Sequence, residues 1–491
     1  MAPAEGTGLS AHTPPQGPCT GPSAGYPLQS LAQGVTRCFF AGRLRSSTIY
    51  EVRSTCIVQN KQTLNIEQTN IEQTNNCSYM KSMLVKITGV CYMVSLIACG
   101  NGNNKETNPS DSSAAPKGSY AYDAAFLQKH NNKILELKDK DGNAKVLLSA
   151  DYQGRVMTST ATGDSGASYG WLNYSLIEAP EKKKQFNPVG GEERFWLGPE
   201  GGQYSIYFKG KDSFNFANWQ VPAIIDTVAY DVAEADDSHA VFKKEATITN
   251  WSGTEFNLAI ERTVSLLGKD AIAQKLGVTL PGNVNAVGYE TVNKVKNAGA
   301  ADWKKDKGLL SIWLLAMLTP TEETMVIIPF NGVANARSYI TDNYFGTIPP
   351  DRLKVKDSVL YFTADGKKRS KLGLSPVIAK GIAGSYDFKK NVLTLILFPV
   401  DKKGSYVNSK WELQKEPYKG DAVNAYNDGP LEDGTQMGPF YEIESSSAAS
   451  ELKAGEVQEY RQATVHLQGD YASLKQLVKQ VLGVELDEVR K

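Results

Sequence analysis

The chain has 491 residues, with 53 Lys and Arg balanced by 53 Asp and Glu, so its formal net charge is zero. No run of Lys and Arg is long enough to track a phosphate backbone, which argues against a nucleic-acid partner. All six cysteines lie at or before Cys99, and only His130, His239 and His466 follow it; what comes after has no disulfide, no thiolate nucleophile and no Cys-ligated zinc, and no metal or cofactor is expected.

Residues 1–79 are rich in Pro, Gly, Ser, Thr, Gln and Asn, and carry a perfect tandem copy, Asn65 to Thr69 followed by Asn70 to Thr74. No packed core is expected from them, and they read as a disordered, over-extended gene start. Residues 80–98 read as a lipoprotein signal peptide. Lys81 and Lys86 form a basic leader, and Ile87 to Ala98 is an apolar run too short for a bilayer core of about 30 Å. Leu96-Ile97-Ala98-Cys99 then matches a Leu-x-small-Cys lipobox, with the Cys99 thiol as the lipidation point. The expected location is the bacterial cell envelope, periplasmic or on the outer-membrane surface, with membrane contact through the lipid alone. Residues 99–118 form a Gly-, Asn- and Ser-rich tether.

From about Ala144 the chain consists of short segments rich in Val, Ile, Tyr, Phe and Thr between Gly, Asp, Asn and Pro turns. Strands are predicted at Gln203 to Phe208, Glu255 to Leu267, Leu309 to Leu318, Thr324 to Phe330, Val392 to Val400 and Phe440 to Ser445. Their apolar runs suggest burial on both faces. Asp365 to Arg369 is predicted as a hairpin turn. Helices are predicted at Ala124 to Leu137 and Ala472 to Val484. With no low-complexity break after Ser119, residues 119–491 are expected to form one large, mainly β domain with a few covering helices.

Two segments stand out chemically. Gly190 to Gln203 (GGEERFWLGPEGGQ) sets Glu192, Arg194, Trp196 and Glu200 among glycines. The indole offers an apolar face and the charged groups offer hydrogen bonds, a mixture suited to a sugar; Trp219 and Pro222 complete the expected wall. The competing reading has Trp196 and Trp219 filling core space and Arg194 paired with a nearby carboxylate. Near the carboxyl end, strand alternation puts Glu442 and Glu444 on one face, and two carboxylates on an apolar strand call for at least one solvated cleft. His466 by itself reads as a structural histidine, but an imidazole near carboxylates suits proton transfer at an anomeric centre. Asn427 to Gly434 clusters oxygens that suit calcium, with a turn as the default reading.

The run Ile443-Glu444-Ser445-Ser446, followed by Leu452-x-x-Gly455-Glu456 and a strand with Thr464, resembles the end of the aldose 1-epimerase (galactose mutarotase-like) superfamily. Gly190-Gly191-Glu192, Trp196 to Glu200 and Trp219-x-x-Pro222 resemble its divergent members. Almost all of Ala144 to Leu486 is similar to an uncharacterised family of Gram-negative lipoproteins. Its shared segments appear as GGEERFWLGPEGGQ, NYFGTIPPDRL from Asn343, ADGKKRSKLGLSP from Ala364, GSYD from Gly384 and GDAVNAYNDGP from Gly420. The resemblance implies a β-supersandwich with a sugar-facing cleft. Glu444 falls at the general base, and Glu192, Arg194, Trp196, Glu200, Trp219 and His466 become substrate-binding candidates. It also implies a departure: Ser311 and Trp313 stand where a mutarotase strand would carry histidine, so ordinary mutarotation is not expected. Three functions follow as alternatives: an enzyme acting on a sugar by acid/base chemistry, a non-catalytic glycan-binding lipoprotein, and a structural envelope protein.

Overall fold

A computed structural model of the chain describes residues 115–490. The segment 1–79, the signal 80–98, Cys99 and all but the end of the tether lie outside the described residues. The described chain is mainly β. One nine-stranded sheet runs in the order Ile134–Lys138, Lys145–Ser149, Arg155–Thr160, Gly191–Gly198, Ser311–Met317, Tyr441–Ser446, Val423–Asn427, Ser370–Leu374 and Ile340–Thr341. A second sheet of ten strands packs on it. Its order is Leu353–Lys356, Val359–Thr363, Thr324–Pro329, Ile382–Asp387, Val392–Leu397, Val457–Gln468, Asn285–Asn297, Glu255–Leu266, His239–Thr249 and Asp231–Ala235.

Between the sheets lies the main core, where Phe195, Leu197, Ile312, Leu314, Ile443, Ala425 and Leu372 from the first sheet meet Phe242, Ile260, Val264, Tyr289 and Ile396 from the second. The outer face of the second sheet is covered by the helices Lys269–Leu276 and Tyr471–Leu482, with Ile272, Leu474, Leu477 and Val478 packed on Ile327, Leu393, Leu395 and Val465. The far end of the first sheet is covered by helix Tyr120–His130 through Tyr120, Ala124 and Leu127.

Five of the six predicted strands form. Gln203 to Phe208 does not: it is irregular, with Tyr207 and Phe208 buried in the core and the Tyr207 hydroxyl donating to the Leu197 carbonyl at 2.9 Å. Its apolar residues face inward from a loop, and alternation by itself cannot tell that from a strand. The Tyr471–Leu482 helix matches expectation. The first helix ends at His130, and Ile134 and Leu137 belong instead to an edge strand. Asp365 to Arg369 is no hairpin either. It carries the chain from Val359–Thr363 in the second sheet to Ser370–Leu374 in the first, and Asp365 is clamped by both terminal nitrogens of Arg352, at 2.6 and 3.1 Å. Among the described residues no helix is long and apolar enough to cross a membrane.

Candidate functional site: an aromatic cleft on the outer face of the first sheet

The inward positions of the first sheet are taken by the core, so its alternate positions point the other way. The register aligns them in rows: Arg194, Leu315, Glu444, Asn424 and Gly373 in one, Glu442, Tyr426 and Lys371 in the next. Trp196, Trp313 and Ser446 form a third row on the other side. Over this face opens a cleft of about 1680 Å³. Gly373 leaves it room: a Cβ there would sit 2.0 Å from Asp421 Oδ2, and Asp421 lines the cleft.

Its floor holds two ion pairs. The Arg194 guanidinium donates through Nη2 to Glu442 Oε1 and lies 4.5 Å from the centre of the Trp196 ring. Lys371 Nζ donates to Glu444 Oε2 at 3.0 Å, and the Trp313 indole donates to the same oxygen at 2.9 Å. Glu444 is fully enclosed and Glu442 is 5 % exposed. Burial opposes the charge on Lys371, but Glu444, Glu200 and Glu442 outweigh it and hold the ammonium above its ordinary range. Burial pushes the Glu442 carboxyl up to about 8, with Glu444 adding to the rise and Arg194 opposing it. Burial likewise raises Glu200, and brings Asp421 to about 6 although the Tyr344 hydroxyl donates to it at 2.6 Å.

The walls are aromatic. Trp171, Trp196, Trp219, Trp313 and Trp411 all line the cleft, five of the chain's seven tryptophans. Trp219 stacks on Phe216 and on Trp411, each with ring centres 5.9 Å apart. Arg194 Nε and Nη1, Trp196 Nε1 and Ser311 Oγ are buried polar atoms on lining residues with no hydrogen-bond partner within the protein. Glu444 Oε1 is likewise unpartnered.

Of the residues singled out from sequence, Arg194, Trp196, Glu200 and Trp219 line the cleft, and Glu444 lies beneath the lining residues Lys371 and Trp313. Trp196 and Trp219 also belong to the core, and Arg194 is paired with a carboxylate. Glu192 and His466 stand elsewhere, which corrects their grouping with the cleft residues. Register along Gly191–Gly198 shifts between Gly191 and Arg194, so one extra residue bulges and Glu192 and Glu193 both turn into the inter-sheet layer. Gly190 and Gly191, with φ of +101° and +113°, make that entry possible. A Cβ on Gly190 would lie 2.0 Å from the Trp171 carbonyl oxygen. Glu192 Oε2 then meets His466 Nε2 at 3.0 Å, the His466 ring stacks on Tyr169, and Glu193 pairs with Arg262 at 2.9 Å, all fully buried apart from Tyr169 at 8 % exposed.

Lys371, Glu442, Asp421, Tyr344 and Trp411 are cleft residues that motif reading did not assign. A signal existed for Lys371, the single charge in the short strand Ser370–Leu374. The Asn427 to Gly434 loop closes as a turn. Asp428 accepts from the Tyr426 hydroxyl at 2.6 Å and the Gly438 amide at 3.0 Å, and Asn427 bonds the Gly366 amide and the Lys368 carbonyl. Among the described residues no group of three or more His, Cys, Asp or Glu converges as a metal site.

Residues 118–491 match the model of a family described as "Family of unknown function (DUF6786)". No curated protein matches the sequence. Among solved structures, the chain is similar to the Slr1438 protein from Synechocystis sp. PCC 6803, at 13% identity and a TM-score of 0.42, covering 69% of this chain and 96% of that one. It is also similar to a galactose mutarotase-like protein from Lactobacillus casei ATCC 334, at 11% identity and a TM-score of 0.40, over 68% of this chain and 100% of that one. A galactose mutarotase related enzyme from Lactobacillus acidophilus is similar at 11% identity and a TM-score of 0.36, over 69% and 97% of the two chains.

Proposed function

We propose that this chain, which belongs to that family, binds a carbohydrate in the cleft while held at the bacterial envelope by a lipid on Cys99. The observation that carries the reading is the pairing of aromatic walls with buried polar atoms that have no partner in the protein: Arg194 Nε and Nη1, Trp196 Nε1 and Ser311 Oγ. Leaving such a group unsatisfied costs roughly 1–3 kcal/mol. A sugar suits both features, because its hydroxyls donate as well as accept and its C–H faces stack on indoles.

Binding is the reading the geometry supports best. Glu444, at the position the resemblance gives to a general base, is fully enclosed beneath the lining residues Lys371 and Trp313, which both donate to its Oε2 and stand between it and a ligand in the cleft. One observation favours acid/base turnover as a second reading: burial brings Glu442 up to about 8, in the range a general acid or base needs near neutral pH. Titration of the full chain against a panel of neutral and acidic sugars, with product analysis of each, tests both. Sugar binding that Arg194→Met weakens about tenfold or more supports the site. Absence of binding across the panel rejects it.

A further inference from the structure

Four of the large apolar side chains the protein exposes lie on the lips of this one cleft: Phe216 at 63 %, Phe345 at 46 %, Leu431 at 44 % and Met437 at 37 %. Exposed apolar side chains gathered at one mouth, rather than scattered, mark a binding surface. Phe216 extends the Trp219–Trp411 stack outward, beside the Gly191–Gly198 edge of the cleft, where Phe186 bridges Trp219 to Trp196. Phe345 stands at the other side. It packs edge-on against Tyr426 of the strand Val423–Asn427, with the Arg369 guanidinium 3.9 Å from its ring centre. Three strand spacings separate Gly191–Gly198 from Val423–Asn427, about 14 Å at the usual separation of neighbouring strands. A single pyranose ring cannot touch both platforms. The volume of about 1680 Å³ also exceeds the roughly 300–1,000 Å³ of pockets that enclose one small molecule.

We infer that the ligand is an oligosaccharide of several units, one held over Arg194 and Trp313 and its neighbours carried outward onto the Phe216 and Phe345 platforms. This rests on the carbohydrate reading and adds chain length to it. Neither Phe216 nor Phe345 belongs to the buried core, so each can be cut back without opening a cavity.

The test is isothermal titration of the full chain with malto-, cello-, xylo- and galacturono-oligosaccharides, each from one to six units. In the series that binds, affinity is expected to rise about tenfold or more between the monosaccharide and the tetrasaccharide, each tenfold being 1.4 kcal/mol. Phe216→Ala and Phe345→Ala are each expected to lose about tenfold for the tetrasaccharide, the scale of one buried aromatic contact, and to leave the monosaccharide unchanged. A monosaccharide that binds as tightly as its oligomers, or lip variants that bind the tetrasaccharide like the unaltered protein, overturns the chain-length inference and spares the carbohydrate reading. Failure of every sugar to bind overturns both.

Discussion

Arg194 and Glu442, 248 positions apart in sequence, join across the intervening strand Ser311–Met317 on the floor of the cleft. Beside them Lys371 and Glu444 form a second buried pair, so the floor is held by two cations and two carboxylates in adjacent rows of one sheet face. Each partner shields the other from an otherwise costly burial, and removing one exposes that cost.

Lys371→Met is therefore expected to destabilise the protein by about 3–5 kcal/mol, because Glu444 keeps only the Trp313 indole as a partner. Adding Glu444→Gln to Lys371→Met is expected to recover a large part of that loss, since the amide carries no charge to strand. Urea unfolding of the two single variants and the double variant measures the coupling. Strictly additive losses would show that the two groups do not depend on each other.

Asp421 is expected to contribute a fall in stability with rising pH. Burial raises its carboxyl from 3.8 to about 6, so the native state holds a proton that the unfolded chain releases first. The contribution is fully present below about pH 3.8 and is lost as pH rises through about 6. Asp421→Asn is expected to flatten the decline between those values, by roughly 1–3 kcal/mol across the window. Unfolding free energies measured at several pH values should show the difference, and parallel curves for the two proteins would contradict the assignment.

Glu192 and His466 belong to the inter-sheet layer, 0–1 % exposed and bonded to each other. His466→Ala is expected to cost about 2–4 kcal/mol of stability through the cavity and the lost hydrogen bond to Glu192, whose carboxylate keeps only the Ser159 amide and hydroxyl. Among molecules that remain folded, ligand affinity should stay within twofold of the unaltered protein, as judged from titration corrected for the folded fraction. A tenfold affinity loss in the folded fraction would return His466 to the binding site.

Cys99→Ser is expected to abolish lipid attachment, since the thioether to the diacylglyceryl group forms only at sulfur. Metabolic labelling with a radioactive fatty acid reads this directly, and continued labelling of the variant would refute the lipobox reading.

The sheet content, most strands and the long carboxyl-terminal helix were legible because period-two alternation and helical spacing survive in the sequence. The shared face of Glu442 and Glu444 was legible for the same reason. The face of Glu192 was not: alternation puts it with Arg194, and only the extra residue between Gly191 and Arg194 turns it inward. The role of Lys371 was not legible because its partners lie two and three strands away, at Glu444 and Trp313, and no local pattern records a cross-sheet pair. Trp313 stood out from sequence only as a missing histidine. In the fold it is one of two donors, with Lys371, that fix Glu444.

With five of seven tryptophans lining the cleft, intrinsic fluorescence reports whether a bound sugar sits there. A sugar that binds by titration is expected to shift the tryptophan emission and to protect it from acrylamide quenching, with a midpoint equal to the titration Kd, and Trp411→Phe should diminish the response. Saturable sugar binding that leaves both emission and quenching unchanged would place the ligand away from the cleft and rule the cleft out as its site.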